Sequence, residues 1–211
     1  MIGSALAAED GFNPLFDGKT SAGWRSIKGA DFPSDGWEIK NGVITVLGKK
    51  AGDIITVKKY TNFDLCFEFK LPPAGNSGVK YFIEPDKNQS VGCEFQVLDD
   101  DKHPDAKRGV NGNRTVGSLY DLIPARAGKK VKPIGEWNEG RVVVKGAHVE
   151  HWLNGEKVVE YDRTSPEFKA LVAASKFKTV DGYAQQKEGH ILLQDHNDVV
   201  SFRNIRIKEL K

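Results

Sequence analysis

Apolar and polar residues alternate along most of the chain, with the period of two that is typical of half-buried β-strands. The alternation is clearest in residues 63–69, 93–98 and 149–153, and shorter segments repeat it between Gly, Asn, Asp and Pro residues. Asn41-Gly42 and Asn154-Gly155 predict tight hairpin turns, because both central residues of such a turn adopt positive φ. Many short strands, tight turns and no internal repeat predict an all-β sandwich of two antiparallel sheets.

Two other features complete the predicted secondary structure. Only residues 165–178 have a helical pattern, with Ser165 as the cap and Pro166 at the first helical position. One short helix in such a chain is expected to lie in a loop. Near the C-terminus, the sequence predicts strands at residues 189–196 and 199–207, joined by a short turn.

Two of the predicted strands carry polar side chains in pairs. Alternation places Glu94 and Gln96 on one face of their strand. Gln194 and His196 likewise project from one face of theirs. Such pairs are costly in a core, so they favour a polar groove of the kind that binds sugars, although a solvated strand face is the alternative. The same alternation predicts that the core contains Phe67, Phe69, Phe95 and Val97.

Three further residues could supply acids, bases or hydrogen bonds. The pKa of His151 is ordinarily near neutrality, which suits a general base. However, His151 shares a strand face with Val149 and Leu153, where a histidine is more often part of the core. Tyr120-Asp121 could present a phenol and a carboxylate to the rim of the groove, or form a turn at a strand end.

Sequence signals for cofactors are weak. Asp99-Asp100-Asp101 could give oxygen ligands to calcium, but the segment lacks the regular spacing and the glycine of a calcium loop. The chain has no glycine-rich phosphate loop, no GxSxG and no CxxC, so nothing favours nucleotide binding, a serine hydrolase or a zinc site. Cys66 and Cys93 are expected to be free, buried thiols, with a disulfide as the alternative.

Composition limits the classes of partner. The 211 residues include 31 Lys and Arg against 29 Asp and Glu, a formal net charge of +2, which does not favour nucleic acid or a membrane surface as partner. No apolar stretch reaches the roughly 18 residues that span a bilayer.

Residues 11–211 are predicted to form one domain. Ala5-Leu6-Ala7 resembles a leader cleavage site, so residues 1–10 are predicted to be a trimmed secretory leader or a flexible tail, and the protein to be periplasmic or extracellular. The oligomeric state stays open.

Short motifs distributed over residues 12–207 carry a family resemblance. They are Phe12-Asn13-Pro14-Leu15-Phe16-Asp17-Gly18-Lys19 with Gly23-Trp24, Gly75-Asn76-Ser77-Gly78-Val79, Glu94-Phe95-Gln96-Val97-Leu98-Asp99, Gly117-Ser118-Leu119-Tyr120-Asp121-Leu122, Gly135-Glu136-Trp137-Asn138, His151-Trp152-Leu153-Asn154-Gly155, and Leu193-Gln194-Asp195-His196 with Phe202-Arg203-Asn204-Ile205. In order and spacing they resemble the 3-keto-disaccharide hydrolases. The resemblance implies a concanavalin A-like jelly roll with the sugar site on its concave sheet. It also implies cleavage of glycosides already oxidised at C3, by 1,2-elimination followed by hydration. After residues 76–78, many members have an aromatic pair and an arginine where this chain has Val79-Lys80-Tyr81.

The chemistry that the resemblance implies suggests roles for these residues. A ketone at C3 makes the C2 hydrogen acidic, so a base could remove it, and amide groups could hydrogen-bond the developing enolate. We expect catalytic roles for Glu94, His151 and Asp121, and substrate-binding roles for Asn76, Gln96, Tyr120, Gln194 and His196. A glycoside or oligosaccharide is the expected substrate. Ordinary glycosidases use two carboxylates, whereas the same-face neighbour of Glu94 is a glutamine, although Asp99 or Asp121 could still provide the acid. A non-catalytic carbohydrate-binding module is the alternative, which the number of acidic and basic candidates disfavours.

Overall fold

The computed structural model of the protein describes residues 11–88 and 90–211. Residues 1–10, which the sequence predicts to be a leader or tail, lie outside the described residues. The strands are β1 Asn13–Pro14, β2 Trp24–Ser26, β3 Trp37–Lys40, β4 Val43–Val46, β5 Ile54–Thr56, β6 Phe63–Lys70, β7 Asn76–Ile83, β8 Cys93–Leu98, β9 Asn138–Lys145, β10 His148–Leu153, β11 Glu156–Asp162, β12 His190–Leu193 and β13 Ser201–Glu209. The helices are α1 Pro85–Asn88 and α2 Pro166–Ala174, and single 3-10 turns lie at Pro104–Lys107 and Lys176–Thr179.

The strands form two antiparallel sheets, which confirms the predicted all-β sandwich. The eight-stranded sheet has the order β11-β10-β9-β6-β13-β4-β3, and β1 pairs with β13. The five-stranded sheet has the order β2-β5-β12-β7-β8. Neighbouring strands therefore often come from distant parts of the chain: β6 pairs with β13 so that Phe69 lies opposite Phe202.

The core lies between the two sheets and contains the residues that alternation predicts. Phe67, Phe69, Phe95 and Val97 are fully buried. The rings of Phe67 on β6 and Phe95 on β8 meet edge to face, 5.3 Å between centroids, and so join the sheets. Gly140 on β9 makes room for this contact, because a Cβ there would lie 2.4 Å from carbons of the Phe67 ring. The interior is packed tightly enough that one added methyl group cannot enter without a shift.

Several local predictions are confirmed. Asn41 and Asn154 adopt positive φ at the two hairpin turns, 52° and 49°. Cys66 and Cys93 are buried, free thiols. Helix α2 begins after Ser165, whose side chain accepts a hydrogen bond from the Phe168 N–H. None of the helices in the described residues is long and apolar enough to cross a membrane.

Two local predictions were wrong. The helical segment does not run unbroken from 165 to 178, because Ser175 ends α2 and caps a separate 3-10 turn. The predicted C-terminal hairpin does not form either: β12 joins the five-stranded sheet and β13 the eight-stranded sheet. Residues 194–200 therefore connect the two sheets. Alternation reports which face of a strand is buried, but not which sheet the strand joins.

Candidate active site

The five-stranded sheet packs one face against the core and lines a cleft of about 320 Å³ with the other. Strand alternation positions the floor of this cleft: Asn76 and Lys80 project from β7, and Glu94 and Gln96 from β8. The walls come from loops. The lining residues are Asn76, Lys80, Ser90, Val91, Gly92, Glu94, Gln96, Tyr120, Lys176, Phe177, Val180, Gln194 and His196. The structure thus brings together six of the eight predicted site residues, and His151 and Asp121 lie outside this set.

Glu94 is the central carboxylate of the cleft and is only 6% exposed. Lys80 Nζ lies 3.8 Å from its Oε2. The Gln96 amide is oriented so that its nitrogen donates to Glu94 Oε1 at 3.2 Å and to the Ser77 carbonyl at 3.1 Å, because the opposite orientation would set its oxygen against both acceptors. Burial raises the pKa of Glu94, and attraction to Lys80 and Lys176 only partly opposes this. Glu94 therefore keeps its proton to a higher pH than an exposed glutamate does.

Gly78 sets the position of this carboxylate. It lies on β7 beside the Glu94 side chain, and a Cβ at Gly78 would be 2.2 Å from Glu94 Oε1. Contacts below about 3 Å of this kind are repulsive, so any other residue at position 78 would push the carboxylate away. The requirement for glycine here comes from close approach, not from its backbone conformation.

Two lysines that the sequence did not assign to the site supply its positive charge. Lys80 is 8% exposed, and its ammonium group donates to the Ser90 carbonyl at 3.2 Å. Lys176 is exposed as a whole, but its Nζ lies 4.1 Å from the centre of the Tyr120 ring. Partial desolvation lowers the pKa of the Lys176 ammonium group, while the carboxylates of Glu94 and Asp121 act in the opposite direction. The cleft thus contains a carboxyl group with a raised pKa and an ammonium group with a lowered pKa, an arrangement that suits acid–base chemistry.

Asp121 lies behind the cleft, outside the residues that line it, and its catalytic role stays a prediction. Its Oδ1 accepts hydrogen bonds of 2.7 Å from Arg114. Its Oδ2 accepts a 3.3 Å hydrogen bond from the backbone N–H of Lys176. The carboxylate therefore fixes the turn that carries Lys176 and is already paired with a guanidinium. Its neighbour Tyr120 does line the cleft.

The Tyr120 side chain offers its ring to the cleft rather than a reactive phenol. Its hydroxyl donates to Asp105 Oδ2 at 2.9 Å. Burial, reinforced by this hydrogen bond to a carboxylate, raises the pKa of Tyr120. The phenol is thus held protonated. The ring itself contacts the Lys176 ammonium group and so helps to hold it beside the cleft.

His151, for which the sequence analysis expects a catalytic role, lies in the core and not in the cleft. It is fully buried in the core face of the eight-stranded sheet. Its Nδ1 lies 3.0 Å from the Gly117 carbonyl, to which it donates, and its Nε2 accepts from the Tyr81 hydroxyl at 2.7 Å. Burial lowers the pKa of His151 to about 4. Both nitrogens are satisfied inside the protein, so His151 is a structural residue.

The acidic turn after β8 is organised by hydrogen bonds. Asp99 accepts from the backbone N–H groups of Ala74, Asp101 and Lys102. Asp100 accepts from the Val116 N–H at 2.7 Å and pairs with Lys129 at 3.0 Å. These carboxylates face donors of the protein itself, and calcium binding by this segment stays a prediction.

Phe177 and Val180 form a partition that the cleft shares with a second cavity. Phe177 stacks on Tyr183, with ring centroids 4.4 Å apart. Phe177 and Val180 line the cleft on one side and a second cavity of about 590 Å³ on the other. The second cavity lies under α2 and the segment that returns to β12. The two spaces thus share these two side chains in their walls.

Comparison with known proteins supplies a context for this geometry. Residues 11–208 match the sequence model of the 3-keto-alpha-glucoside-1,2-lyase-like domain. A 3-keto-disaccharide hydrolase from Bacteroides thetaiotaomicron is 38% identical over 232 aligned positions, which cover 95% of this chain and 79% of that protein. The solved structure of a candidate glycosyl hydrolase from Parabacteroides distasonis is 34% identical, covers 95% of each chain and superposes with a TM-score of 0.85.

A more distant structure shows the fold alone. The carbohydrate-binding module CBM66 from Bacillus subtilis is 13% identical, with a TM-score of 0.55 over 89% of this chain and 96% of the module. Together with the structure from Parabacteroides distasonis it confirms the expected concanavalin A-like jelly roll. Because catalytic and binding proteins share this fold, the fold does not decide between them.

Proposed function

The chain belongs to the 3-keto-alpha-glucoside-1,2-lyase-like family, and from this premise we propose that it cleaves glycosides whose sugar ring is already oxidised to a ketone at C3. The proposed reaction is elimination across C1 and C2 followed by addition of water, which together amount to hydrolysis. The relative from Bacteroides thetaiotaomicron is named for hydrolysis of 3-keto-disaccharides, so a 3-keto-disaccharide is the substrate that we propose first.

The observation that carries this proposal is the set of charges in the cleft. Among the described residues that line it, Glu94 is the only carboxylate, and it is accompanied by two lysines. Direct hydrolysis of a glycoside needs a second carboxylate on the other side of the bond, about 5–10 Å away. Elimination instead needs one base, one acid and positive charge near the ketone oxygen. The described lining residues offer the base, the acid and the positive charge that elimination needs. They do not include the second carboxylate that direct hydrolysis needs.

The steps of the elimination can be assigned to side chains. Ionised Glu94 removes the proton from C2, and the electron pair becomes an enolate on the C3 oxygen, where Lys80 or Lys176 stabilises the negative charge. The enolate then expels the glycosidic oxygen, which leaves a C1=C2 double bond conjugated to the ketone. We assign the protonation of that oxygen to the Lys176 ammonium group. In the second half, water adds its oxygen to C1 and a proton returns to C2.

Neutral groups of the cleft can orient the sugar. Asn76, Gln96 and Gln194 present amides that pair with hydroxyl groups. The ring of Tyr120 provides an apolar surface beside them. We propose that these groups hold the oxidised ring with its C2 hydrogen directed at Glu94.

The test compares matched substrates. The protein is incubated with a plain disaccharide, its 3-keto counterpart and the 3-keto compound carrying deuterium at C2, and release of the leaving sugar is followed. We expect turnover of the keto compound only, slowed by deuterium when proton removal limits the rate. Equal turnover of plain and keto substrates would contradict elimination and indicate an ordinary glycosidase. Binding of sugars without any turnover would indicate a carbohydrate-binding module.

A further inference from the structure

The second cavity, under α2, is larger than the cleft and has no part in the proposed reaction. Its volume is about 590 Å³, against about 320 Å³ for the cleft. This size lies within the range of pockets that hold small organic molecules. The lining comes from α2, from the 3-10 turn at Lys176–Thr179, from residues 180–187 and from Arg163, which follows β11.

Much of the lining is apolar and held in place by packing. Phe168 and Val172 are four positions apart on α2 and so share the face of the helix that covers the cavity. The Phe168 ring stacks on Tyr161 of β11, with centroids 5.1 Å apart. Phe177 and Tyr183 also line the cavity and stack on each other. Because these rings are already fixed, a ligand would lose little free energy in ordering them.

The charged residues of the lining are all cations. They are Arg163, Lys169, Lys178 and Lys187, and no aspartate or glutamate stands among the described residues that line the cavity. Within the part of the chain that the structure describes, none of these four side chains forms an ion pair within 4.0 Å. Like charges around one cavity repel one another, so an anion bound among them would relieve that repulsion.

Arg163 is the most firmly held of the four cations. Its Nη1 donates to the carbonyls of Ala184 and Gln186 at 2.8 and 2.9 Å, and its Nη2 donates to the Gly146 carbonyl at 2.9 Å. Its Nε is buried and has no hydrogen-bond partner in the described residues. All of these acceptors are neutral, so the guanidinium charge is hydrogen-bonded but not neutralised. A half-buried cation of this kind is stabilised by a counter-charge.

We propose that this cavity binds a small aromatic carboxylate, with its ring against Phe168 and Phe177 and its carboxylate among the lysines. A purely apolar ligand would leave the positive charges unmatched. A neutral sugar would bring many hydroxyl groups to a lining whose described residues include no carboxylate to accept from them. An apolar ring that carries one negative charge matches both halves of the lining. The site lies beside the cleft, and the proposal does not rest on the proposed function.

The cleft also contains two lysines, but its charge balance is different. Lys80 Nζ lies 3.8 Å from the Glu94 carboxylate, and Glu94 also attracts the Lys176 ammonium group. An anion in the cleft would therefore meet a carboxylate as well as cations. We expect an aromatic anion to prefer the second cavity.

The experiment compares ligands of one shape and different charge. The protein is titrated by calorimetry with naphthoate, with neutral naphthylmethanol and with the ammonium ion of naphthylmethylamine. We expect one equivalent of naphthoate to bind at least about 10-fold more tightly than the alcohol, and the ammonium ion to bind more weakly still. The affinity for naphthoate should fall as sodium chloride is raised. The ring NMR signals of Phe177 and Tyr183 should shift on binding.

Matched variants locate the site. Ala170 and Ala173 are both exposed residues of α2, and only Ala173 lines the cavity. Ala173→Phe should fill the cavity and weaken naphthoate binding by about 10-fold, whereas Ala170→Phe should bind as the wild type does. Lys169→Glu should weaken binding by about 5-fold. Its control is Lys132→Glu, beside Asn138 at the other end of β9. Circular dichroism checks that each variant is folded.

Four results would overturn the proposal. They are no binding of naphthoate at millimolar concentration, equal binding of naphthoate and naphthylmethanol, unchanged binding in both Ala173→Phe and Lys169→Glu, and competition by a plain disaccharide, which would indicate a sugar site. Weaker binding in Lys176→Met with unchanged binding in Ala173→Phe would place the anion in the cleft and overturn it too. Because no keto sugar is used, the outcome is independent of the proposed reaction.

Discussion

Glu94 and Asp64 are buried to the same extent, yet their surroundings differ completely. They are 6% and 7% exposed, on opposite sides of the sandwich. Asp64 receives two hydrogen bonds from Arg141, of 2.7 and 2.6 Å. Glu94 has one lysine at 3.8 Å and one amide. The comparison shows that burial alone does not identify a reactive carboxylate: a fully paired acid stabilises the fold, and an incompletely paired one facing a cleft is available to a substrate.

The largest expected effect is a difference in turnover between variants of these two carboxylates. Glu94→Gln should lower turnover of a 3-keto-glycoside by about 100-fold or more, because a general base is removed. Asp64→Asn should leave turnover nearly unchanged and lower the free energy of unfolding by about 2 kcal/mol, since Arg141 is itself partly exposed. Steady-state kinetics and urea unfolding of both variants measure this. Unchanged turnover in Glu94→Gln would remove Glu94 from the mechanism.

A second pair of variants tests the glycines that make room for side chains on the two sheets. Gly78→Ala should displace the Glu94 carboxylate and lower turnover by about 10- to 100-fold. Gly140→Ala should crowd Phe67 in the core and lower the free energy of unfolding by about 1–3 kcal/mol with little effect on turnover of the folded protein. If both substitutions lowered the free energy of unfolding and neither lowered turnover, the close approach of position 78 to Glu94 would not matter for catalysis.

Lys176 provides a third test, with a smaller effect because Lys80 remains in the cleft. Lys176→Met should lower kcat by about 10-fold. Since desolvation lowers the pKa of Lys176, the wild-type rate should decline on the alkaline side below the ordinary lysine value of 10.5, and Lys176→Met should lose that decline. Lys178→Met, on the same 3-10 turn but outside the cleft, is the matched control. If the rate of Lys176→Met still declined at alkaline pH, the decline would belong to another titrating group.

The smallest effect concerns stability as a function of pH. Burial raises the pKa of Glu94 in the folded protein above its ordinary value of 4.5, so between those two values the folded state holds more protons than the unfolded chain. The contribution of Glu94 to stability is therefore fully present below pH 4.5 and is lost as pH rises through its folded pKa. Urea unfolding from pH 4 to 7 should show Glu94→Gln gaining stability relative to wild type as pH rises. An opposite trend would indicate a lowered pKa.

Sequence alternation predicted the floor of the cleft well. Glu94 and Gln96 lie on the face opposite Phe95, as the period of two requires. The same rule places His151 on the core face, because it alternates in phase with Val149 and Leu153. The rule could also have identified Lys80, which follows Asn76 by four positions on β7 and so shares its face.

The walls could not be predicted in this way. Lys176 reaches the cleft because helix α2 ends at Ser175 and the Lys176 N–H then donates a hydrogen bond to Asp121. These two residues are 55 positions apart in the sequence. The prediction of a C-terminal hairpin was wrong for a related reason, because two strands that are adjacent in sequence belong to different sheets. Both outcomes depend on long-range packing, which a local pattern does not encode.

The partition formed by Phe177 and Val180 has an evolutionary consequence. The reacting groups on β7 and β8 belong to paired strands, where most substitutions would disturb the sheet, while the partition belongs to a connecting segment that tolerates change. A smaller residue at position 177 would join the cleft to the neighbouring cavity and admit a bulkier leaving group, with the chemistry untouched. Under the proposed function, a change in this one wall would alter which aglycones are accepted.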